Sequence, residues 1–181
     1  MMNINETMKK STLLLVVILM LSSCGSDYPY LKTVDKVDVN RYMGTWYEIV
    51  RLPNSFEKGL ECVTATYALK ENGDVKVTNR GRSVDDRLNI DEANGTAWVV
   101  DTVTNSKLKV SFFWPFAGDY WIISLDDDYN YVMLGSPSRK YLWILSRQPI
   151  LNESVTKSLL DSASRAGFDI SRVEKINQDC H

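Results

Sequence analysis

Gly44-Thr45-Trp46-Tyr47, read together with Arg147 near the far end of the chain, decides the fold. A tryptophan placed shortly after an N-terminal segment can plug the bottom of a small β-barrel. An arginine on the last strand can then lie across the indole face as a cation–π lid. The residues between the two suffice for a closed antiparallel sheet, and eight closed strands enclose an interior that holds packed side chains or one small ligand. Gly-x-Trp by itself recurs by chance, so its weight comes from agreement with the rest of the chain.

Working outward, Trp46 to Leu52 reads as a first strand ended by Pro53-Asn54, with a short helical turn expected over Val39 to Met43. Residues 63–69 alternate apolar and small polar side chains, the period of a half-buried strand. Asn72-Gly73 supplies the positive φ of a tight hairpin, after which Val75, Val77 and Asn79 continue the alternation. Further strands are expected near 95–100, 107–112, 120–125, 131–134 and 141–146, with turns at Asp126-Asp127-Asp128-Tyr129-Asn130 and Ser136-Pro137-Ser138. Eight short strands at close spacing indicate an all-β sandwich or barrel. One helix follows: Asn152 stands at its entrance, Val155, Leu159, Ala163 and Ala166 form an apolar face, and Gly167 is placed for the C-cap. Val173 and Ile176 suggest a short ninth strand beside the first.

The N-terminus carries a second message. Lys9 and Lys10 precede an apolar run from Leu13 to Leu21, too short for a membrane-spanning helix, which needs roughly 20 residues. The pattern reads as a cleaved export signal over residues 1–23. Leu21-Ser22-Ser23-Cys24 resembles the bacterial lipobox, which implies diacylglycerol on the Cys24 sulfur and acylation of the new amine, with palmitate as the acyl group. The alternative is an ordinary signal with an incidental cysteine. Met1, Met2 and Met8 all remain available as the start. Residues 24–37 are polar and read as a tether, leaving 38–181 as a single domain.

Composition narrows the function. The chain holds 23 acidic and 21 basic residues and no basic run, which argues against a nucleic-acid partner. If lipid takes Cys24, Cys62 and Cys180 remain, in a compartment where disulfides persist. Their pairing would close a loop worth about 4–5 kcal/mol of chain entropy; a reactive Cys62 thiol is the alternative. His181 is the only histidine and ends the chain, which disfavours Ser-His-Asp or Cys-His chemistry. No cluster has zinc spacing and no glycine-rich phosphate loop is present, so no metal and no cofactor is expected. Asp126-Asp127-Asp128 lacks the spacing of a calcium loop and reads as a solvated turn.

The segments Asp38 to Ile49, Phe56-Glu57-Lys58-Gly59, Ala65-Thr66-Tyr67, Leu108 to Phe112, Tyr120-Trp121 and Tyr141 to Arg147 together resemble the lipocalin family. The likeness is strongest to its bacterial outer-membrane lipoprotein and apolipoprotein D branches, and spans about residues 38–178. Gly44-Thr45-Trp46, Asp126-x-x-Tyr129 and Arg147 match the three lipocalin signature regions in order. Cys62 and Cys180 fall where the apolipoprotein D branch has a disulfide, whereas bacterial members often lack one. The resemblance implies an eight-stranded up-and-down barrel without enzymatic activity. Tyr67, Asn79, Phe112, Tyr120, Trp143 and Leu145 would surround a ligand such as a fatty acid or lysophospholipid. It further implies a place at the outer membrane, held by the lipid on Cys24.

Strand alternation aims side chains independently of that resemblance. If Trp46 points inward, so should Glu48 and Val50; if Arg147 covers Trp46, then Leu145, Trp143 and Tyr141 share the inner face. Such a wall is aromatic and apolar, although any single aromatic also fits plain core packing. Phe112-Phe113-Trp114-Pro115-Phe116 places aromatics in a connection expected at the barrel mouth. Three readings stand: a lid over the ligand, local packing, or a patch of Phe113, Trp114 and Phe116 that touches membrane or a second copy in a homodimer. Two other functions also stay open: a structural envelope lipoprotein with a filled barrel, and a lipocalin-fold enzyme using Cys62.

Overall fold

The backbone ladder extends each strand beyond the stretch marked by hydrophobic alternation. A computed structural model describes residues 29–180; the expected leader (1–23), Cys24 and His181 lie outside the described residues. The elements are α1 (Val39–Tyr42), β1 (Gly44–Arg51), β2 (Leu60–Leu69), β3 (Val75–Ser83), β4 (Ile90–Val99), β5 (Lys107–Phe113) and β6 (Phe116–Leu125). They continue with β7 (Tyr131–Gly135), β8 (Leu142–Ser146), α2 (Glu153–Arg165), a 3₁₀ turn (Ile170–Arg172) and β9 (Glu174–Lys175). The upper β3–β4 hairpin shows why strands outrun the hydrophobic pattern. Its solvated side chains pair across the ladder, Thr78 with Asn94 at 2.8 Å and Arg80 with Glu92 at 3.6 Å.

The sheet order is β2-β3-β4-β5-β6-β7-β8-β1-β9, and β1 also pairs with β2, so eight antiparallel strands close into a barrel. The connections 52–59, 84–89, 114–115 and 136–141 all lie at one end, the mouth. The connections 70–74, 100–106 and 126–130 lie at the other, which α1 closes. There the Asp38 amide donates to the Tyr129 hydroxyl (2.8 Å), Arg41 donates to the Asp127 carbonyl (2.9 Å), and the Val37 amide donates to the Thr104 carbonyl (2.7 Å).

Trp46 plugs this end with none of its surface exposed, and its Nε1 donates to the Tyr42 carbonyl. Arg147 lies 3.8 Å above the indole. One arm of the guanidinium donates to the Thr45 carbonyl, and the other reaches the Arg41, Tyr42 and Met43 carbonyls. These carbonyls end a single-turn helix too short to satisfy them itself. Gly44 permits the closure. Its φ is +95°, and a Cβ there would come within 3.3 Å of the Arg147 guanidinium.

Two apolar clusters result. The inner one fills the lower barrel with Trp46, Tyr67, Val77, Leu108, Ile122, Val132 and Leu145. The outer one lies under α2, where Leu159, Ala163 and Phe168 meet Ile49, Met133, Leu142 and Ile144. Val50 belongs to the outer cluster, contrary to the strand alternation. The β1–β8 register shifts between Glu48 and Val50, so Glu48 faces Leu145, Val50 faces Ile144 and Arg51 faces Trp143. That bulge turns Val50 out and Arg51 in.

The expected tether is also shorter than composition indicates. From Pro29 to Val37 the chain is a strap against the barrel, with Leu31, Thr33 and Val37 buried and the Val34 amide donating to the Ile122 carbonyl. At the opposite terminus, Cys62 and Cys180 form a disulfide with 6.0 Å between Cα atoms. Gly167 follows α2 with φ +91°, as its C-cap role requires.

Replacing Arg147 by Ala removes the cation–π contact and uncaps α1, and should cost about 2–4 kcal/mol. Replacement by Lys should cost less, since only the fork is lost. Urea unfolding checks this: midpoints should fall in the order wild type, Lys, Ala at an unchanged slope.

Candidate functional site

The lumen is graded in chemistry from floor to rim. On the floor, the Tyr120 hydroxyl is 2.7 Å from that of Tyr42 and 2.9 Å from that of Tyr67. Burial pushes all three phenols well above their ordinary value, so they stay neutral and act as hydrogen-bonding groups only. With Val75, Val77, Ala97, Leu108 and Ile122 they line a small void of about 30 Å³.

Above the floor the inner faces of β3, β4, β5 and β8 meet. Leu145 is buried in the inner cluster, and Phe112 and Trp143 pack against it half-buried. Phe112 crosses Gly95, where a Cβ would come within 2.9 Å of its ring; any larger residue would displace it. A separate, solvent-open hollow of about 830 Å³ lies on the outer wall, over Lys70, Lys76, Thr96 and Trp98 and up to Trp114, and reaches only the edge of Phe112. The Asn79 amide oxygen is buried on the inner wall without a protein partner. A buried carbonyl of this kind needs a donor from water or ligand. Of the six expected wall residues, then, Tyr67 and Tyr120 line that void, while Asn79, Phe112, Trp143 and Leu145 lie on the wall outside it.

Toward the mouth the lumen turns polar. Arg51, turned inward by the bulge, pairs with Glu48 at 3.1 Å and with Glu174 at 3.2 Å. Trp143 Nε1 donates to Glu57 Oε2 (3.0 Å), and the Asn54 side chain holds Glu57 twice, its Nδ2 donating to Glu57 Oε2 and its Oδ1 accepting from the Glu57 amide. Phe56, on the same 52–59 connection, lies against Tyr141 and Trp143, whose rings stack 5.8 Å apart. Glu48 is 3% exposed. Burial, and then the negative charge of Glu57, push its carboxyl well above the usual range, and Arg51 opposes them.

The seam between β1 and β2 opens on this side. Their register ends at Tyr47 opposite Thr64. The C-terminal tail fills the gap: Gln178 Nε2 donates to the carbonyls of both Glu48 and Val63, Ile176 pairs with Ile49, and Cys62 pairs with Asn177. The disulfide fixes the end of that clamp. Among the described residues, the grouping of acidic and sulfur side chains tight enough for a metal is Glu61 with Cys62 and Cys180. The disulfide occupies both sulfurs.

Phe113 and Phe116 are not loop residues. Phe113 closes β5 and Phe116 opens β6 as a facing pair, and the turn is Trp114-Pro115 alone. All three aromatics are exposed.

A family model described as a lipocalin-like domain matches residues 37–178. The chain is a lipocalin. It is 42% identical over 158 residues to the outer membrane lipoprotein Blc of Escherichia coli, covering 86% of this chain and 89% of that one. The Blc protein of Vibrio cholerae is 36% identical, covering 93% and 99%. Bovine apolipoprotein D is 33% identical, covering 83% and 82%. Insecticyanin from Manduca sexta shares the fold, with a TM-score of 0.66 at 22% identity over 83% and 85% of the two chains.

Strand alternation missed Arg51, because the bulge that inverts it leaves no compositional mark. Tyr42 had a readable signal, as the aromatic of the expected helical turn just before Gly44-Thr45-Trp46. Glu48→Gln should test the polar rim. A carboxyl held high in the folded protein binds a proton there that the unfolded chain has lost, so stability falls as pH rises from the unfolded carboxylate value toward the raised one. The variant should flatten that decline and exceed wild type in melting temperature at the alkaline end. Parallel melting curves of the two proteins across about pH 5–8, where stability usually peaks, would refute the assignment.

Proposed function

We propose that this lipocalin binds a fatty acid or lysophospholipid and stores or moves it at the bacterial outer membrane. The observation that carries the proposal is the graded lumen: a neutral tyrosine floor and aromatic-aliphatic walls below a polar rim with Glu48, Arg51 and Glu57. An acyl chain suits the walls and a polar head suits the rim. The Blc relatives, named as outer membrane lipoproteins, support the location. The lipobox-like sequence before Cys24 supports an acyl anchor there, and two or more acyl chains give stable attachment where one is marginal.

A second reading has its own observation. The void above the tyrosine floor is small, about 30 Å³, as expected of a barrel filled by its own side chains. The enzyme reading is weakened because the Cys62 sulfur is bonded to Cys180.

Titration separates the first two. Trp143 is half-buried between the rim and the wall. A saturable change in tryptophan fluorescence on adding lysophospholipid or fatty acid, at roughly micromolar concentration, should be largely lost in Trp143→Phe. Equal changes in both proteins would remove Trp143 from the site; no change with any acyl ligand would favour the filled barrel. For the anchor, Cys24→Ala should release the protein from membranes washed in high salt, whereas continued pelleting would exclude the lipid.

A further inference from the structure

The barrel mouth carries apolar side chains that the fold leaves in water. Phe113, Trp114 and Phe116 are 80%, 83% and 77% exposed at the tip of the β5–β6 hairpin, and Leu88 is 93% exposed on the neighbouring 84–89 connection beside Val84. Single exposed apolar residues need no explanation; a rim of them at one end of a barrel marks an interaction surface.

Two independent features state what covers that surface. The first is where the chain enters. The strap begins at the mouth, not at the plugged end: the Pro29 carbonyl accepts from Arg139 Nη2 (2.6 Å), and Arg139 belongs to the 136–141 mouth turn. From there the strap descends to Val37 at the closed end. Cys24 is five residues from Pro29, a reach of at most about 17 Å when extended. An acyl anchor on Cys24 is therefore held beside the mouth. The second feature is charge. The closed-end connections carry Glu71, Asp74, Asp101 and Asp126 to Asp128 against Lys70. The exposed ends of the mouth connections carry Lys58, Arg87 and Lys140 against Asp85 and Asp86. An anionic bilayer repels the first end and accepts the second.

We propose that the mouth rim is a membrane-docking face, so that the barrel stands mouth-down on a phospholipid bilayer with Trp114 and its neighbours in the headgroup–acyl boundary. The orientation rests on the Cys24 anchor proposed above; the apolar rim does not. Ligand would then pass between bilayer and lumen without crossing bulk water.

The test uses the full chain extracted from its membrane and reconstituted in phosphatidylethanolamine–phosphatidylglycerol vesicles with dibrominated acyl chains. Bromine quenching of tryptophan should be strong in the wild type and mostly lost in Trp114→Phe. It should not return when a reporter is placed at the closed end in Trp114→Phe/Val103→Trp. Vesicle-bound protein whose Trp114 is unquenched, or quenching that follows the Val103 reporter, overturns the proposal while leaving the anchor intact. Failure of wild type to associate at all overturns both. A concentration-dependent blue shift of Trp114 without vesicles would make the rim an interface between two copies, and would also overturn it. The triple change Phe113→Ser, Trp114→Ser, Phe116→Ser should weaken vesicle flotation of the unacylated Cys24→Ser chain at least about tenfold and leave acyl-ligand titration unchanged. Equal flotation counts against the face, and lost ligand binding would place these residues in the lumen site instead.

Discussion

The guanidinium of Arg147, 3.8 Å above the buried indole of Trp46, is the contact on which the rest of the molecule depends. It does three things at once. It joins the last barrel strand to the first and covers the plug. It also supplies donors to the carbonyls of α1, a helix with no second turn to use them. Lysine could supply the charge but not the planar fork that serves Thr45 and α1 together. Once α1 is fixed, Tyr42 is fixed, and with it the hydrogen-bonded tyrosine floor. The cation stays over an aromatic face although partial burial lowers its pKa, because the ring and the four carbonyls replace the water it loses.

Above that floor the barrel uses irregularity to place polarity. A regular β1 would alternate strictly and leave Arg51 outside. The bulge after Glu48 brings Glu48 and Arg51 to the same side, three residues apart, where a strand normally sets them opposed. A buried ion pair seldom adds stability over a well-packed apolar pair, because its desolvation offsets its attraction. Its place at the upper lumen, next to Glu57 and Trp143, therefore suits the polar head of the proposed ligand better than it serves the stability of the barrel.

What was legible in the sequence divides along the same line. Trp46, Arg147, the Asn72-Gly73 turn and the amphipathic stripe of α2 are local patterns with direct geometric meaning, and the strands followed from alternation. Features that depend on long-range register were not legible. Val50 faced the wrong way because a bulge has no sequence mark. Glu61 and Gln178, which fasten the tail to the β1–β2 seam, look like ordinary surface residues until distant strands bring them together. The strap concealed itself differently. Its buried residues, Leu31, Thr33 and Val37, are separated by Lys32 and Asp35-Lys36, so the mean composition is that of a linker. Phe113 and Phe116 were assigned to a loop because nothing in the residues says how far a hairpin ladder runs.

The tail explains why the mouth is the entrance. A closed barrel is weakest where neighbouring strands part, and here they part between β1 and β2, beside Glu48. Without the tail, backbone carbonyls of both strands would be unpaired along a gap leading to the lumen, a cost that buried polar groups do not tolerate. Gln178 spans that gap with one amide, β9 continues the ladder on β1, and the disulfide to Cys62 keeps the clamp from peeling away. With the plug below and the seam sealed at the side, the end of the barrel left for entry is the one bordered by the 52–59 connection and the aromatic tip of β5–β6. The first holds Glu57 down into the lumen; the second turns Phe113, Trp114 and Phe116 outward. Polar groups therefore face the interior of the mouth and apolar groups face its exterior. That is the reverse of a barrel that only had to remain soluble.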